Sequence, residues 1–117
     1  MTMKSKELAF KIGDMMLAKK ASGIVVMDLR KLTTMTDFFV ICSASSDIQV
    51  KSIADHIREE TAKLREKPWH NEGYSNLSWV LLDFVNVVAH VFLEDTRRFY
   101  NLEGLWADAD TTEVKDE

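Results

Sequence analysis

Residues 78–93, SWVLLDFVNVVAHVFL, constrain this chain more than any other stretch. Two runs, 78–84 and 87–93, are rich in β-branched and aromatic side chains, and only Val85-Asn86 separates them. That spacing predicts a tight antiparallel hairpin. With Phe84 facing Val87, Trp79 lies opposite Phe92, Leu81 opposite His90 and Asp83 opposite Val88, all on one face. The other face carries Val80, Leu82, Phe84, Val87, Ala89, Val91 and Leu93. A wholly apolar face has to be packed beneath helices, so the chain must build a sheet with helices on one side. The first face is mixed: aromatic and aliphatic side chains with one carboxylate and one imidazole. It resembles the centre of a protein–protein interface more than a core.

The rest of the chain supplies the partners for that hairpin. Leu8, Ile12, Met15 and Met16 recur at helical spacing, and Gly23 is placed to end that helix. IVVMDL (24–29) and DFFVICS (37–43) read as apolar strands. Ser46 and Gln49 have the form of a capping box, and they open a helix whose core stripe is Val50, Ile53, Ala54, Ile57, Thr61 and Leu64. Lys67-Pro68 is placed to close it. WHNEG reads as a short strand, and EDTRRFYNLEGLW (94–106) as a short helix or turns. The tail at 107–117, ADADTTEVKDE, has five acidic residues, one lysine and almost no apolar material, and is expected to be disordered. The expected architecture is one α/β domain over 1–106. It holds a mixed sheet of about five strands with helices, in the order α-β-β-α-β-β-β-α, followed by the acidic tail.

Composition and charge remove several classes of function. With 46% hydrophobic and 29% charged residues, the 117-residue chain has the balance of one soluble domain. No apolar run approaches the ~20 residues that a membrane helix needs. The N-terminus, MTMKSKELAFKIGDMM, lacks the apolar block of a signal peptide, so a cytoplasmic protein with no membrane partner is expected. The lone Cys42 excludes an internal disulfide, and its place in FFVICS suits a buried, inert thiol. Charge is uneven: residues 1–35 carry a balance of +4, residues 36–72 of −2 and residues 73–117 of −6. An acidic C-terminal part fits a basic protein partner better than a phosphate backbone, although acidic residues also simply keep a protein soluble.

Candidate chemistry is thin. His56, His70 and His90 share no metal-type spacing, and neither a metal nor a cofactor is expected, a site built across distant segments being the open exception. The SASSD turn at 43–47 would suit an anion through its backbone N–H groups, but a helix cap is the plainer reading. His90, opposite Leu81 and flanked by Val88 and Phe92, has no acid or base beside it to work with.

Taken in order, TDFFVICSASSDIQVKSIADHI (36–57), WVLLDF (79–84), VVAHVF (87–92) and RRFYNLEGLW (97–106) resemble the Iojap family, the ribosomal silencing factors. The resemblance implies a mixed sheet with helices related in fold to nucleotidyltransferases. It implies a translational repressor that binds the large ribosomal subunit through ribosomal protein fourteen and blocks joining with the small subunit. Little or no direct nucleic-acid contact is implied, and homodimer formation by the free factor is left open. Nucleotidyltransferases use a Gly-Ser turn and paired carboxylates that hold metal ions. Here the turn is Ala44-Ser45-Ser46, Asp28 and Asp37 stand apart, and the alternate position after Asp83 is Val85. A binding protein on an enzyme-like scaffold is therefore expected, with a nucleotide-binding or nucleotidyl-transferring enzyme, using the SASSD turn and Asp83, as the alternative. The expected contact residues are Trp79, Leu81, Val88 and Phe92, oriented by Asp83 and His90 and extended by Arg97, Arg98 and Tyr100. The family's usual hairpin turn is Gly-Asp. Val85-Asn86 implies either a wider loop or a strained backbone, because a two-residue turn asks for positive φ.

Overall fold

The computed structural model of the chain describes residues 3–116; Met1, Thr2 and Glu117 lie outside the described residues. The elements run α1 (Ser5–Ala18), β1 (Ser22–Asp28), β2 (Phe38–Ala44), α2 (Asp47–Lys63), β3 (His70–Glu72), β4 (Trp79–Asp83), β5 (Val87–Leu93), α3 (Glu94–Tyr100), α4 (Leu102–Leu105) and β6 (Asp110–Glu113). Six strands form one mixed sheet, ordered β3-β4-β5-β2-β1-β6. The β2–β5 pair is parallel and the other four pairs are antiparallel. The parallel pair needs a crossover, which the chain makes through α2, β3 and β4.

The hairpin has the register that its spacing dictates: Trp79 pairs with Phe92, Leu81 with His90 and Asp83 with Val88. The turn is tight and strained rather than wide. Val85 sits at φ 76°, and the Asn86 N–H donates to the Phe84 carbonyl at 3.0 Å, which makes a γ-turn of the rare positive-φ form. The Phe84 N–H closes the strand end onto the Val87 carbonyl at 2.8 Å. Asp83 Oδ1 takes the Val85 N–H at 2.7 Å. The Asn86 carbonyl accepts from the N–H groups of Asp37 and Phe38 at 2.9 and 3.1 Å, so β2 starts against the turn and helps to hold it.

The apolar face behaves as its composition demands. Val80, Leu82, Phe84, Val87, Ala89 and Val91 are buried in one cluster with Ile12 and Met16 of α1 and Val50, Ile53, Ala54 and Ile57 of α2. Leu93 packs against its edge. Ser46 caps α2 by accepting the Gln49 N–H at 3.1 Å. Cys42 is fully buried in the same cluster, and burial pushes its thiol up to about 12, so it is inert at neutral pH.

Three expectations about chain ends are corrected. Gly23 does not end α1. The helix stops at Ala18, and Lys20 takes the left-handed conformation at φ 62°. The N–H groups of Lys20 and Ala21 turn back to the carbonyls of Leu17 and Met16, which is a Schellman close. Gly23 instead lies inside β1 at φ 56°, where the register with β2 shifts. Likewise α2 ends at Lys63, with Arg65 at φ 61° closing it before Pro68 is reached. The tail is not disordered: Asp110–Glu113 form β6, paired antiparallel to β1 from Val25↔Glu113 to Asp28↔Asp110. Val114 then packs on the main core beside Gly13, where an added Cβ would stand 3.0 Å from Val114 Cγ2. Composition failed here because an edge strand needs backbone partners more than apolar side chains, and β1 offers an unpaired edge.

Candidate functional site

The mixed face of the hairpin is partly roofed. Val25, Met27, Leu29, Ile41 and Phe92 form a second, smaller core, against which Phe39, Trp79, Leu102, Trp106 and Ala109 pack. The segment from α3 to β6 supplies the roof. Phe92 is 1% exposed and His90 3% exposed, so the expectation that both lie on a bare surface is corrected. Trp79, Leu81, Asp83 and Val88 remain half-buried, and Tyr100 is exposed.

The rings on this face form one aromatic set. The Trp79 ring lies 4.8 Å from Phe92 and 4.8 Å from Tyr100, centroid to centroid. Phe39 meets His90 edge-on at 4.6 Å. The Trp79 indole Nε1–H donates to His90 Nδ1 at 3.1 Å. Burial pushes the His90 imidazole down to about 3, so the ring is neutral at physiological pH. Its Nε2 and the hydroxyl of Thr36 are buried without a protein partner.

An open groove of about 360 Å³ lies over this arrangement. Leu81, Val88, Phe39 and Trp106 give it apolar walls, Asp83 and Val85 stand at the hairpin end, and Thr33, Met35 and Thr36 close the other side. Met35 is 85% exposed there. The sequence reading missed Phe39, Thr36, Met35 and Trp106 as members of this site. Phe39 was within reach: β2 and β5 are neighbours in register, so Phe39 pairs with Val88 and Ile41 with His90 on the same face. The Thr33–Thr36 contribution comes from a connector without periodicity, and nothing local marks it.

The two arginines grouped at 97–98 part company. Arg97 is an internal clamp, with its side chain 13% exposed. Its Nε and Nη2 donate to Glu103 at 3.0 and 2.9 Å, and its Nη1 donates to the Gly23 carbonyl at 2.7 Å and to Ser43 Oγ at 2.9 Å. It thus ties α3 and α4 to β1 and β2 rather than reaching outward. Arg98 is exposed and ion-paired with Asp95.

The acids that a nucleotidyl-transfer site would recruit are engaged elsewhere. Asp28 binds Arg30 through both carboxylate oxygens, and that guanidinium holds its carboxyl below the usual range. Asp37 accepts from Ser5 Oγ at 2.8 Å, and Asp83 holds the hairpin turn. In the SASSD turn, Ser46 is the cap, and Ser45 donates through N–H and hydroxyl to Gln49 Oε1 at 2.8 and 3.0 Å. Among the described residues no group of three His, Cys, Asp or Glu side chains could hold a metal ion.

The family model described as "Ribosomal silencing factor during starvation" matches residues 2–117. The chain belongs to the ribosomal silencing factor family. It is 39% identical over 97 residues to the ribosomal silencing factor of Halalkalibacterium halodurans, covering 83% of each chain. To that of Bacillus subtilis it is 40% identical over 91 residues, covering 78% of this chain and 77% of the relative. The chloroplastic Iojap protein of Zea mays is 39% identical over 95 residues, which span 81% of this chain and 41% of that longer protein. A crystal structure of a Chromobacterium violaceum protein superposes with a TM-score of 0.87 at 25% identity, covering 97% of this chain and 95% of the other. One from Bacillus halodurans does so at 0.76 and 36% identity, covering 93% and 96%. The mixed α/β fold is thus shared with both of these crystal structures.

Proposed function

We propose that this chain represses translation by occupying the large ribosomal subunit through ribosomal protein fourteen, so that the small subunit cannot join. The family's name supports the repression. The observation that carries the mode is the half-buried aromatic and aliphatic patch of Trp79, Leu81 and Val88, open beside the acidic Asp83, on a protein whose residues 73–117 carry a balance of −6. Aromatic anchors of this kind dominate interface energies, and negative charge around them favours a basic partner. Tyr100 and Arg98 extend the contact. Phe92, His90 and Arg97 support it from beneath.

The factor acts in the cytoplasm and does no chemistry. Its scaffold is read as nucleotidyltransferase-like, with the carboxylates of such an enzyme committed to other bonds. Steric repression is stoichiometric. Titration of the factor in a subunit-joining assay should therefore reach full inhibition near one factor per large subunit, without nucleotide. Complete inhibition at a small fraction of that ratio would rule out steric blocking and restore the enzymatic alternative.

A further inference from the structure

We propose that the groove on the mixed face reads a carbonyl oxygen in a basic segment of the docking partner, through an imidazole N–H at His90 Nε2 that Trp79 holds in place. The inference rests on the docking role given to this face above and names the chemistry that the face recognises.

An indole nitrogen only donates, so the 3.1 Å contact from Trp79 Nε1 makes His90 Nδ1 the lone-pair nitrogen. A neutral ring must then carry its proton on Nε2. Burial keeps the ring neutral, since it lowers the imidazole to about 3. That Nε2–H has no acceptor within the protein, and neither does the Thr36 hydroxyl. Native structures pair nearly all buried polar groups, so an exception asks for a missing partner. Among the described residues, the side-chain atoms so orphaned belong to Thr36, Tyr74 and His90. Two of these three residues line the same groove.

The chemistry of the occupant follows from the remaining walls. Asp83 is the charged residue of the groove, and no lysine or arginine lines it. A carboxylate on the partner would meet that negative charge, and so would a phosphate. A neutral carbonyl satisfies the His90 N–H, and a neighbouring lysine or arginine of the partner pairs with Asp83 through Oδ2, the oxygen that the turn does not use. The apolar walls take the aliphatic stem of such a side chain. Both residues line the groove, and the orphaned atoms themselves are closed from solvent in the free protein. Docking therefore includes a side-chain rearrangement of the groove floor, as is common at interfaces. Trp79 is a positioning residue here: it fixes the tautomer and acts on the partner through His90.

The test uses the full chain. Long-range ¹⁵N NMR of histidine-labelled protein should show His90 as the Nε2–H tautomer at neutral pH; an Nδ1–H tautomer overturns the inference. Binding to isolated large subunits is then measured for wild type, His90→Phe and Thr36→Val. His90→Phe keeps a ring in place and removes the orphaned N–H. It also takes the acceptor from the Trp79 indole N–H, which offsets the gain from losing the orphan, so it should stay folded with a melting temperature near that of wild type and bind at least tenfold more weakly. Thr36→Val, nearly isosteric, should bind several-fold more weakly and decides the matter if His90→Phe fails to fold. Wild type that binds while both variants bind within twofold of it overturns this inference and leaves the docking role standing. Wild type that does not bind removes the docking role itself. Displacement of the bound factor by free uridine would assign the groove to a nucleobase and overturn the peptide reading.

Discussion

Replacing Arg97 by Met separates a structural clamp from a surface charge. The Arg97 guanidinium makes four hydrogen bonds, two to Glu103, one to the Gly23 carbonyl and one to Ser43 Oγ. Methionine keeps most of the apolar stem and removes all four. The Glu103 side chain is 38% exposed, so solvent screens the ion pair and leaves it worth only about 0.5–1 kcal/mol. The bonds to Gly23 and Ser43 come from a charged donor, the first at an exposed carbonyl and the second part-buried, and together they contribute about 1.5–2 kcal/mol once partial rehydration is allowed. The expected loss is about 2–3 kcal/mol, or roughly 10 °C in melting temperature for a domain of this size. Arg98→Met is the internal control: its partner Asp95 is exposed, and the change should cost under about 0.5 kcal/mol. Urea denaturation followed by circular dichroism gives both numbers at constant slope. If the two variants fall within about 0.5 kcal/mol of each other, the clamp reading is wrong and Arg97 is another surface arginine. Glu103→Gln in the Arg97→Met background should then add little, because the pair is already broken.

The remaining expectations use the same stability assay or a binding rate. His90 has a folded value of about 3 against about 6.5 unfolded. The unfolded chain therefore takes up the proton first as pH falls, and the stability tied to the neutral ring is full above pH 6.5 and lost between 6.5 and 3. Wild type should lose about 2 kcal/mol from this group between pH 7 and pH 5, and His90→Phe should not; parallel pH profiles would refute it. A chain ending at Trp106 lacks β6 and Val114 and should be less stable by about 1–3 kcal/mol, most of the ladder energy being offset by the entropy of ordering the strand; an unchanged midpoint would show that β6 contributes nothing. Val85→Gly relieves a positive φ that costs a β-branched residue about 1–3 kcal/mol, less up to about 1 kcal/mol for glycine's greater freedom when unfolded, so the melting temperature should rise, and a fall would mean that the γ-turn is not strained. Association with large subunits should slow as salt rises, because charges further apart than about 8 Å are screened at physiological ionic strength; a flat rate would leave the acidic charge to solubility alone.

What the sequence determined by itself is local or periodic. The alternation along 78–93, with a two-residue spacer, dictated the hairpin, its register and the face that meets the helices, because a one-residue slip would turn every apolar side chain to the wrong side. The stripe of Val50, Ile53, Ala54, Ile57 and Thr61 dictated how α2 lies on that face, and the family motifs carried the likeness to the silencing factors. Tertiary structure decided what depends on pairing between segments remote in sequence. Glycine and proline did not end the helices, since Lys20 and Arg65 met the cost of a left-handed residue within Schellman closes. The acidic tail became a strand because β1 had an unpaired edge to offer it. Arg97 turned inward because Gly23, Ser43 and Glu103 converge on it from three parts of the chain. His90 and Phe92, legible from alternation as members of one face, were buried by Trp79, Trp106 and the helices of the C-terminal segment. No pattern within a single strand records that a distant stretch will fold back over it, and so the groove, with its two orphaned polar atoms, existed only once that stretch was in place.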